Sequence, residues 1–177
     1  MAEKRGAQRL FFAIWPDHRV RQGLLRIARS LPEHGGRELH PDDLHMTLAF
    51  LGMVETDRYG CVIEAADRVS GAPFTLTLDH IDYWKRPKIL WCGPRDTPSG
   101  LSQLVQNLQE RLSVCGFEPE ERPYAPHVTL ARKARHVDAY PLEKTMEWEV
   151  GEFALVVSRG GREPPHYQVL KKWTLDS

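Results

Sequence analysis

A chain of 177 residues with 41% hydrophobic side chains can bury a core in one domain or in two tightly joined lobes. Lysine and arginine together number 24, as do aspartate and glutamate, so the net charge is zero. This balance argues against a protein that coats long nucleic acid, because such proteins are usually basic, and restricts any nucleic-acid contact to a small pocket that takes an end or a short piece.

The cysteine content bears on the compartment. Three cysteines, Cys61, Cys92 and Cys115, leave at least one thiol unpaired, and no two of them are spaced as CxxC. This pattern argues against a disulfide framework or a thiolate zinc site and favours a reducing cytosol. The first residues carry charges and only a short apolar run, unlike a signal peptide or a membrane span. We therefore expect a soluble cytoplasmic protein.

The first part of the chain alternates predicted strands with predicted helices. Residues 9–14 are short, apolar and aromatic, which predicts a buried strand. Apolar residues at helical spacing follow Asp17, a candidate N-cap, and a second apolar stripe follows Thr56, which is positioned to cap a second helix. Between these helices, residues 44–51 predict a strand that Gly52 ends.

The later part of the chain continues this pattern. Residues 74–79 alternate apolar and polar side chains, the period of a half-buried strand, and residues 88–92 predict its neighbour across a turn. Helical spacing predicts a third helix from Leu101 to Leu112. Further strands are predicted at residues 127–132, 148–157 and 167–175. Since no linker or low-complexity segment divides the chain, the elements predict an α+β protein.

A short motif occurs twice, because residues 45–48 and 127–130 both read His-x-Thr-Leu on predicted strands. Alternate side chains of a strand share a face, so each copy presents an imidazole and a hydroxyl on one face and two apolar side chains on the other. Two such strands related by a pseudo-twofold axis would surround one cleft with four polar groups. Those groups are His45, Thr47, His127 and Thr129.

These groups suit the hydrolysis of a cyclic phosphodiester. A base must deprotonate the attacking water and an acid must protonate the leaving ribose oxygen. Two histidines with unperturbed pKa values of about 6.5 can provide both near pH 7. The threonine hydroxyls can donate hydrogen bonds to the non-bridging oxygens. Plain alternation places Arg132 with Val128, so it reaches the phosphate only if the strand bends or ends there.

Other polar and aromatic residues are interpreted as structural. His40, Asp42 and Asp43 lie near His45, but the two aspartates suit a turn, so no metal site is expected there. The remaining histidines, including His166, fall in predicted loops or helix starts and are expected to be mostly solvated. The tryptophans are interpreted as core residues rather than base-stacking ones. They are Trp15, Trp84, Trp91, Trp148 and Trp173.

At the paired motifs the chain resembles the 2H phosphoesterase superfamily. Within it, the chain is similar to the bacterial and archaeal RNA 2′,3′-cyclic phosphodiesterases, historically called 2′–5′ RNA ligases. The resemblance covers nearly the whole chain. It rests on RLFFAI at 9–14, LHMTLAFLG at 44–52, FTLTLD at 74–79, RPYAPHVTLAR at 122–132 and LKKW at 170–173.

The resemblance implies roles for single residues. It makes His45 the proton donor and His127 the proton acceptor, with Thr47 and Thr129 binding the phosphate. It also implies that Arg132 lies near the phosphate, that Phe50 packs against a terminal base and that Tyr167 lines the cleft. A core position for Phe50 remains an equal alternative. The proline-rich loop from Ser158 to His166, with Arg159 and Arg162, departs from the family pattern at the expected cleft rim.

The resemblance further implies the fold and the reaction. The expected fold is a single α+β domain over residues 1–177, with two pseudo-symmetric lobes, each an antiparallel sheet backed by helices, around a central cleft. The expected reaction converts an RNA-terminal 2′,3′-cyclic phosphate to a 2′-phosphate without cofactor or metal, with weak reverse 2′–5′ ligation. A silent module that binds RNA ends, or an enzyme for small cyclic nucleotides, are the alternatives. A monomer with no protein partner and no membrane contact is expected.

Overall fold

The computed structural model describes residues 6–161 and 163–176, and the three predicted helices are present within them. The strands are β1 Gln8–Ile14, β2 Arg37–Glu38, β3 Met46–Val54, β4 Phe74–Trp84, β5 Ile89–Gly93, β6 Val128–Arg132, β7 Tyr140–Val150, β8 Glu152–Ser158 and β9 Tyr167–Thr174. The helices are α1 His18–Arg29, α2 Thr56–Asp67 and α3 Ser99–Ser113, and a 3₁₀ turn spans Pro41–Asp43.

Antiparallel pairing joins the strands into one continuous sheet in the order β7-β4-β5-β6-β3-β1-β8-β9, with β2 also paired to β6. The two four-stranded halves of this sheet, β7-β4-β5-β6 and β3-β1-β8-β9, meet where Met46 of β3 pairs with Val128 of β6. Helix α1 packs against β7, and α3 packs against α2, β3 and β4. The prediction of an α+β fold with two antiparallel lobes is confirmed.

Helix α1 shows how local sequence and packing act together. The side chain of Asp17 accepts a hydrogen bond from the backbone N–H of Val20 at 2.8 Å, so the predicted N-cap is confirmed. A Cβ atom at Gly23 would overlap the Sδ atom of Met146 on β7. The Met146 thioether therefore occupies the space that a side chain at position 23 would take.

Several predicted boundaries differ from the structure, and the strand segments at 37–38 and 140–147 were not predicted. Helix α2 has Glu55 rather than Thr56 at its N-cap, and the Thr56 hydroxyl donates to the carbonyl of Gly6. Strand β3 does not end at Gly52 but continues to Val54, because Gly52 adopts a positive φ of 71° within the strand. The strand predicted at 148–157 is broken at Gly151, since β7 pairs with β4 whereas β8 pairs with β1.

The expectation about cysteines was wrong for one pair. Cys61 in α2 and Cys115, just beyond α3, form a disulfide, whereas Cys92 is a buried free thiol. The two cysteines meet because α2 and α3 pack side by side. The two cysteines are 54 residues apart in the sequence, and the sequence does not indicate that their helices are neighbours.

Reducing this disulfide is expected to lower the free energy of unfolding by about 2–4 kcal/mol, because the bond restricts the unfolded chain. Urea unfolding with and without reductant measures the change. The variant Cys61→Ser should match the reduced wild type and should not respond to reductant. An unfolding midpoint of the wild type that is insensitive to reductant would contradict a stabilising bond.

Candidate active site

The two histidines lie where the halves of the sheet meet. His45 directly precedes β3 and His127 directly precedes β6, and the antiparallel pair between these strands joins the residue that follows each histidine. The same register, continued by one residue in each direction, sets His45 opposite Thr129 and Thr47 opposite His127. Residues opposite or two apart share a face of a sheet, so this pairing brings the four polar side chains together.

A β-bulge directly follows Thr47. Ala13 and Phe12 of β1 pair with Thr47 and Ala49 of β3, so Leu48 is the extra residue. The next residue of β1, Phe11, pairs with Phe50. Since Phe11 and Ala13 share a face, Phe50 lies on the same face as Thr47, three residues away. The Phe50 side chain is 68% exposed, which excludes the alternative of a core position.

The second motif contains the matching bulge. Consecutive residues of β5 pair with Thr129 and Ala131 of β6, so Leu130 is the extra residue. The bulge moves Arg132 off the face that plain alternation gives it. Arg132 then shares a face with Thr129, and its positive charge contributes to the lowered pKa of both His45 and His127. Plain alternation therefore gives the wrong face for Arg132. The strand has the irregularity that the sequence analysis named as the condition for Arg132 to reach the phosphate.

Both imidazoles are held in the same way. Nδ1 of His45 donates to the backbone carbonyl of Asp43 at 2.7 Å, and Nδ1 of His127 donates to that of Ala125 at 2.9 Å. A carbonyl only accepts, so each Nδ1 carries a proton and each Nε2 is the atom free to exchange one. Nε2 of His45 lies 3.1 Å from Oγ1 of Thr47, whose hydroxyl donates to the neutral ring.

Aromatic side chains surround His45. Trp15 stacks on its ring with centroids 5.3 Å apart and planes inclined by 10°, and Phe11 lies at 5.0 Å. Tyr167, the first residue of β9, contacts the ring edge-on at 5.0 Å. These contacts fix the orientation of the imidazole and exclude water from one side of it.

His127 has a similar aromatic setting in the other half. Trp84 packs edge-on against its ring with centroids 4.4 Å apart, and the Trp91 ring lies 6.1 Å away. The sequence interpretation assigned the tryptophans to the core, and Trp91 is indeed buried. For Trp15 and Trp84 it was incomplete, because both also contact the histidines. Trp15 and Trp84 each precede a turn, and nothing in the sequence around them indicates that they contact a histidine.

Burial shifts both histidines away from their ordinary titration range. Burial, together with the charges of His127 and Arg132, lowers the pKa of His45 to about 4, although the hydrogen bond to Asp43 opposes this shift. Burial and the Arg132 charge also lower the pKa of His127. In the free protein both rings are therefore neutral at pH 7, whereas unperturbed values would leave them partly protonated.

The lowered pKa of His45 predicts an acid-sensitive fold. Between pH 6.5 and about 4 the unfolded chain binds a proton at position 45 that the folded protein does not. The contribution of this group to the free energy of unfolding is therefore fully present above pH 6.5 and is lost as the pH falls through this window, a change of about 3 kcal/mol. Urea unfolding at pH 7.5 and 4.5 should show a smaller loss in His45→Gln than in the wild type. Equal losses would contradict the assignment.

Asp43 is a site residue that sequence reasoning missed. Its buried carboxylate accepts hydrogen bonds from the backbone N–H groups of His166 and Tyr167 at 2.9 and 3.2 Å, and from Nδ1 of His166 at 3.2 Å. Asp43 thus holds the His45 ring through its backbone carbonyl, and through its carboxylate it holds the residues at the start of β9. The expectation that His166 is mostly solvated was incomplete, because its side chain is 40% exposed but its ring also contacts Asp43. Arg162 lies outside the described residues.

Tyr124 is a second missed residue. Its buried hydroxyl donates to the backbone carbonyl of Thr47 at 2.6 Å, and burial raises the pKa of Tyr124. It ties the segment before His127 to the first motif.

Within residues 6–161 and 163–176, no group of three or more histidine, cysteine or acidic side chains is arranged to hold a metal ion. In the same part of the chain no helix is long and apolar enough to cross a membrane.

Comparison with known proteins identifies the family. The model of the 2′–5′ RNA ligase superfamily matches residues 15–162. The chain belongs to this superfamily. The chain is 37% identical to the RNA 2′,3′-cyclic phosphodiesterase of Escherichia coli over 95% of its own length and 97% of the relative's. It is 30% identical to the Thermus thermophilus protein of the same name, covering 94% and 90% of the two chains.

Solved structures of this superfamily agree with the fold. The crystal structure of E. coli LigT complexed with 3′-AMP matches with a TM-score of 0.88 and 36% identity, covering 97% of this chain and 99% of that chain. The crystal structure of a Thermus thermophilus protein, TT0787, matches with a TM-score of 0.78 and 28% identity, covering 94% of this chain and 97% of that chain. The family resemblance drawn from the paired motifs is thereby confirmed.

Proposed function

We propose that this chain hydrolyses the 2′,3′-cyclic phosphate at the 3′ end of RNA to a 2′-phosphomonoester. The observation that carries the proposal is the pairing of β3 with β6, which sets two histidines and two threonines on one face. Each histidine has Nδ1 bound to a backbone carbonyl and Nε2 left for proton transfer. The names of the E. coli and T. thermophilus relatives support the same substrate and reaction.

The proposed step is a single displacement at phosphorus. Nε2 of His127 removes a proton from water as the water oxygen bonds to phosphorus. The bond between phosphorus and the ribose 3′ oxygen breaks, and that oxygen leaves with the bonding electrons and takes the proton from Nε2 of His45. The product is a 2′-phosphomonoester with a free 3′ hydroxyl. One proton must then pass from His127 to solvent, and one from solvent to His45, before the next turnover.

The bound phosphate has to raise the pKa of His45, so that this histidine is protonated and can act as the acid. His45 is neutral in the free protein at pH 7 because its pKa is about 4. A bound cyclic phosphate carries one negative charge, which offsets the Arg132 charge and raises the pKa of a neighbouring imidazole. Thr47 and Thr129 then donate hydrogen bonds to the non-bridging oxygens as charge builds on them. Substrate binding and protonation of His45 are therefore coupled. The same displacement with the 5′ hydroxyl of a second RNA as nucleophile in place of water gives weak 2′–5′ ligation.

The remaining features fit an RNA end. The exposed Phe50 ring offers a surface for a terminal base, and Tyr167 lies beside His45 at the wall of the cleft. We also propose that residues 1–177 act as a single-domain monomer that needs neither cofactor nor metal. A cytoplasmic location is proposed from the RNA substrate, and the disulfide between Cys61 and Cys115 would then be unusual, since such bonds are rare there.

Mass spectrometry of a short RNA that ends in a cyclic phosphate tests the proposal. The wild type should add one water to the RNA in the presence of a chelator, and His127→Ala should not do so at a comparable rate. A mononucleotide substrate run in parallel separates an RNA enzyme from one for small cyclic nucleotides. Tight binding of the 2′-phosphate product without any turnover would replace the proposal with a binding module.

A further inference from the structure

A cavity of about 450 Å³ lies next to the proposed catalytic groups. It shares Arg132 and Tyr167 with the active-site wall, so it opens from the same cleft. Basic and imidazole side chains form half of the remaining lining. They are Arg37, His40, Lys133 and His166.

Strand β2 sets Arg37 beside Arg132. These two residues are direct partners in the antiparallel pair of β2 with β6, and direct partners point to the same face. Strand β3 pairs with the first residue of β6, and β2 pairs with the last two. Along β6 the polar groups therefore run in order from His127 through Thr129 to Arg132 and its neighbour Arg37. This row of groups leads away from the reacting phosphate.

The backbone turns sharply at the end of this row. Lys133 has a positive φ of 54°, a conformation that side chains other than glycine rarely adopt. The chain on its far side is held by hydrogen bonds from the backbone N–H of Ala134 to Lys88 and of Arg135 to His34. Lys133 lines the cavity at this turn and is exposed to solvent.

The charge of the cavity suits one phosphodiester. In the part of the chain that the structure describes, Arg37, Arg132 and Lys133 form no ion pair, whereas the nearby Arg135 pairs with Glu33 at 3.9 Å. Glu38 and Asp43 also line the cavity, and their negative charges offset two of the three positive charges. The Asp43 carboxylate already accepts a hydrogen bond from the backbone N–H of His166. Because Arg132 also faces the reacting phosphate, Arg37 and Lys133 are the cations that the cavity offers to a second phosphodiester.

We propose that this cavity binds the phosphodiester on the 5′ side of the terminal nucleotide, so that the enzyme prefers an RNA strand to a cyclic mononucleotide. The inference rests on the proposed function. Arg132 is three residues from Thr129, at most about 10 Å along the strand, which one nucleotide unit can span. Arg37 and Lys133 then act as phosphate contacts that position the strand rather than as catalytic residues.

The test compares three substrates: adenosine 2′,3′-cyclic phosphate, the same nucleotide with a 5′-phosphate, and the dinucleotide ApA ending in the cyclic phosphate. The wild type should show a kcat/KM at least about tenfold higher for the dinucleotide than for the unphosphorylated mononucleotide. Arg37→Gln and Lys133→Gln should each remove most of this preference through a higher KM for the dinucleotide. Each should also lower the salt dependence of log KM by a slope of about 1, as the loss of one phosphate contact requires.

Arg135→Gln is the matched control, because Arg135 follows Lys133 closely but does not line the cavity. It should keep the dinucleotide preference. Equal kcat/KM values for ApA and the mononucleotide in the wild type, or an unchanged preference in both cavity variants, would overturn the subsite. A 5′-phosphate that gives the full gain would assign the cavity to small nucleotides instead. Absence of turnover on all three substrates would refute the proposed function itself.

Discussion

Replacing either His45 or His127 with alanine is expected to lower kcat on an RNA cyclic phosphate by about 10²–10⁴-fold, because each Nε2 transfers one proton in the displacement. The two imidazoles are held alike, with Nδ1 on the carbonyl of Asp43 or Ala125, so each loss removes one proton-transfer group. Steady-state rates with a short RNA ending in a cyclic phosphate measure both effects. Near-normal activity of either variant would contradict the assigned pair.

A substrate with a better leaving group distinguishes the histidine that acts as the acid from the one that acts as the base. A diester that expels p-nitrophenolate needs no proton donor, since that anion is stable near neutral pH. His45→Ala should therefore be much less impaired on such a diester than on the RNA, whereas His127→Ala should be impaired on both. Rescue of the His127 variant instead would reverse the two roles. That outcome would agree with the free-protein pKa of His45 near 4, which disfavours it as the acid before substrate binds.

Replacing Thr47 or Thr129 with valine is expected to lower kcat by about 10²-fold, since each change removes one hydrogen-bond donor to the charged transition state and preserves side-chain volume. Thr129 is almost fully buried, and the Thr47 hydroxyl already contacts His45. The double variant should lose more activity than either single variant. KM should change less than kcat, because the donors act mainly on charge that develops during the reaction.

Thr75→Val provides the matched control for the threonine variants. Thr75 is exposed on β4, opposite Glu149 and away from the paired motifs, so its replacement should leave kcat unchanged. A rise in KM without a fall in kcat for Thr47→Val and Thr129→Val would contradict transition-state stabilisation. It would indicate that the hydroxyls bind substrate and transition state equally.

The paired motifs allowed much of the site to be predicted, because strand alternation is local. Alternation put His45 with Thr47 and His127 with Thr129 on shared faces, and the structure shows the first of these contacts directly. Alternation failed for Arg132, since a bulge depends on which residues of the partner strand are paired. Helix positions were predicted well for the same reason, because apolar spacing and an N-cap are local signals.

Features that depend on the packing of distant segments were not predicted. Asp43 reads as a turn residue in the sequence, yet its carboxylate accepts a hydrogen bond from the backbone of His166, 123 residues later in the chain. The disulfide between Cys61 and Cys115 required knowledge that α2 and α3 are neighbours. Trp15 lies against His45 for a similar reason, since β1 and β3 pair. Each case involves two segments whose contact has no periodic signature in the sequence.

Phosphorus NMR of a short oligoribonucleotide ending in a 2′,3′-cyclic phosphate, incubated with the enzyme in excess EDTA, tests both the proposed reaction and its independence of metal. We expect the cyclic phosphate signal to be replaced by a single 2′-phosphomonoester signal, and the His45→Ala, His127→Ala double variant to leave the substrate unchanged. A 3′-phosphomonoester would contradict the proposed donation of a proton to the 3′ oxygen. An unchanged spectrum with the wild type, or hydrolysis only after a divalent metal is added back, would contradict metal-independent catalysis by the two histidines.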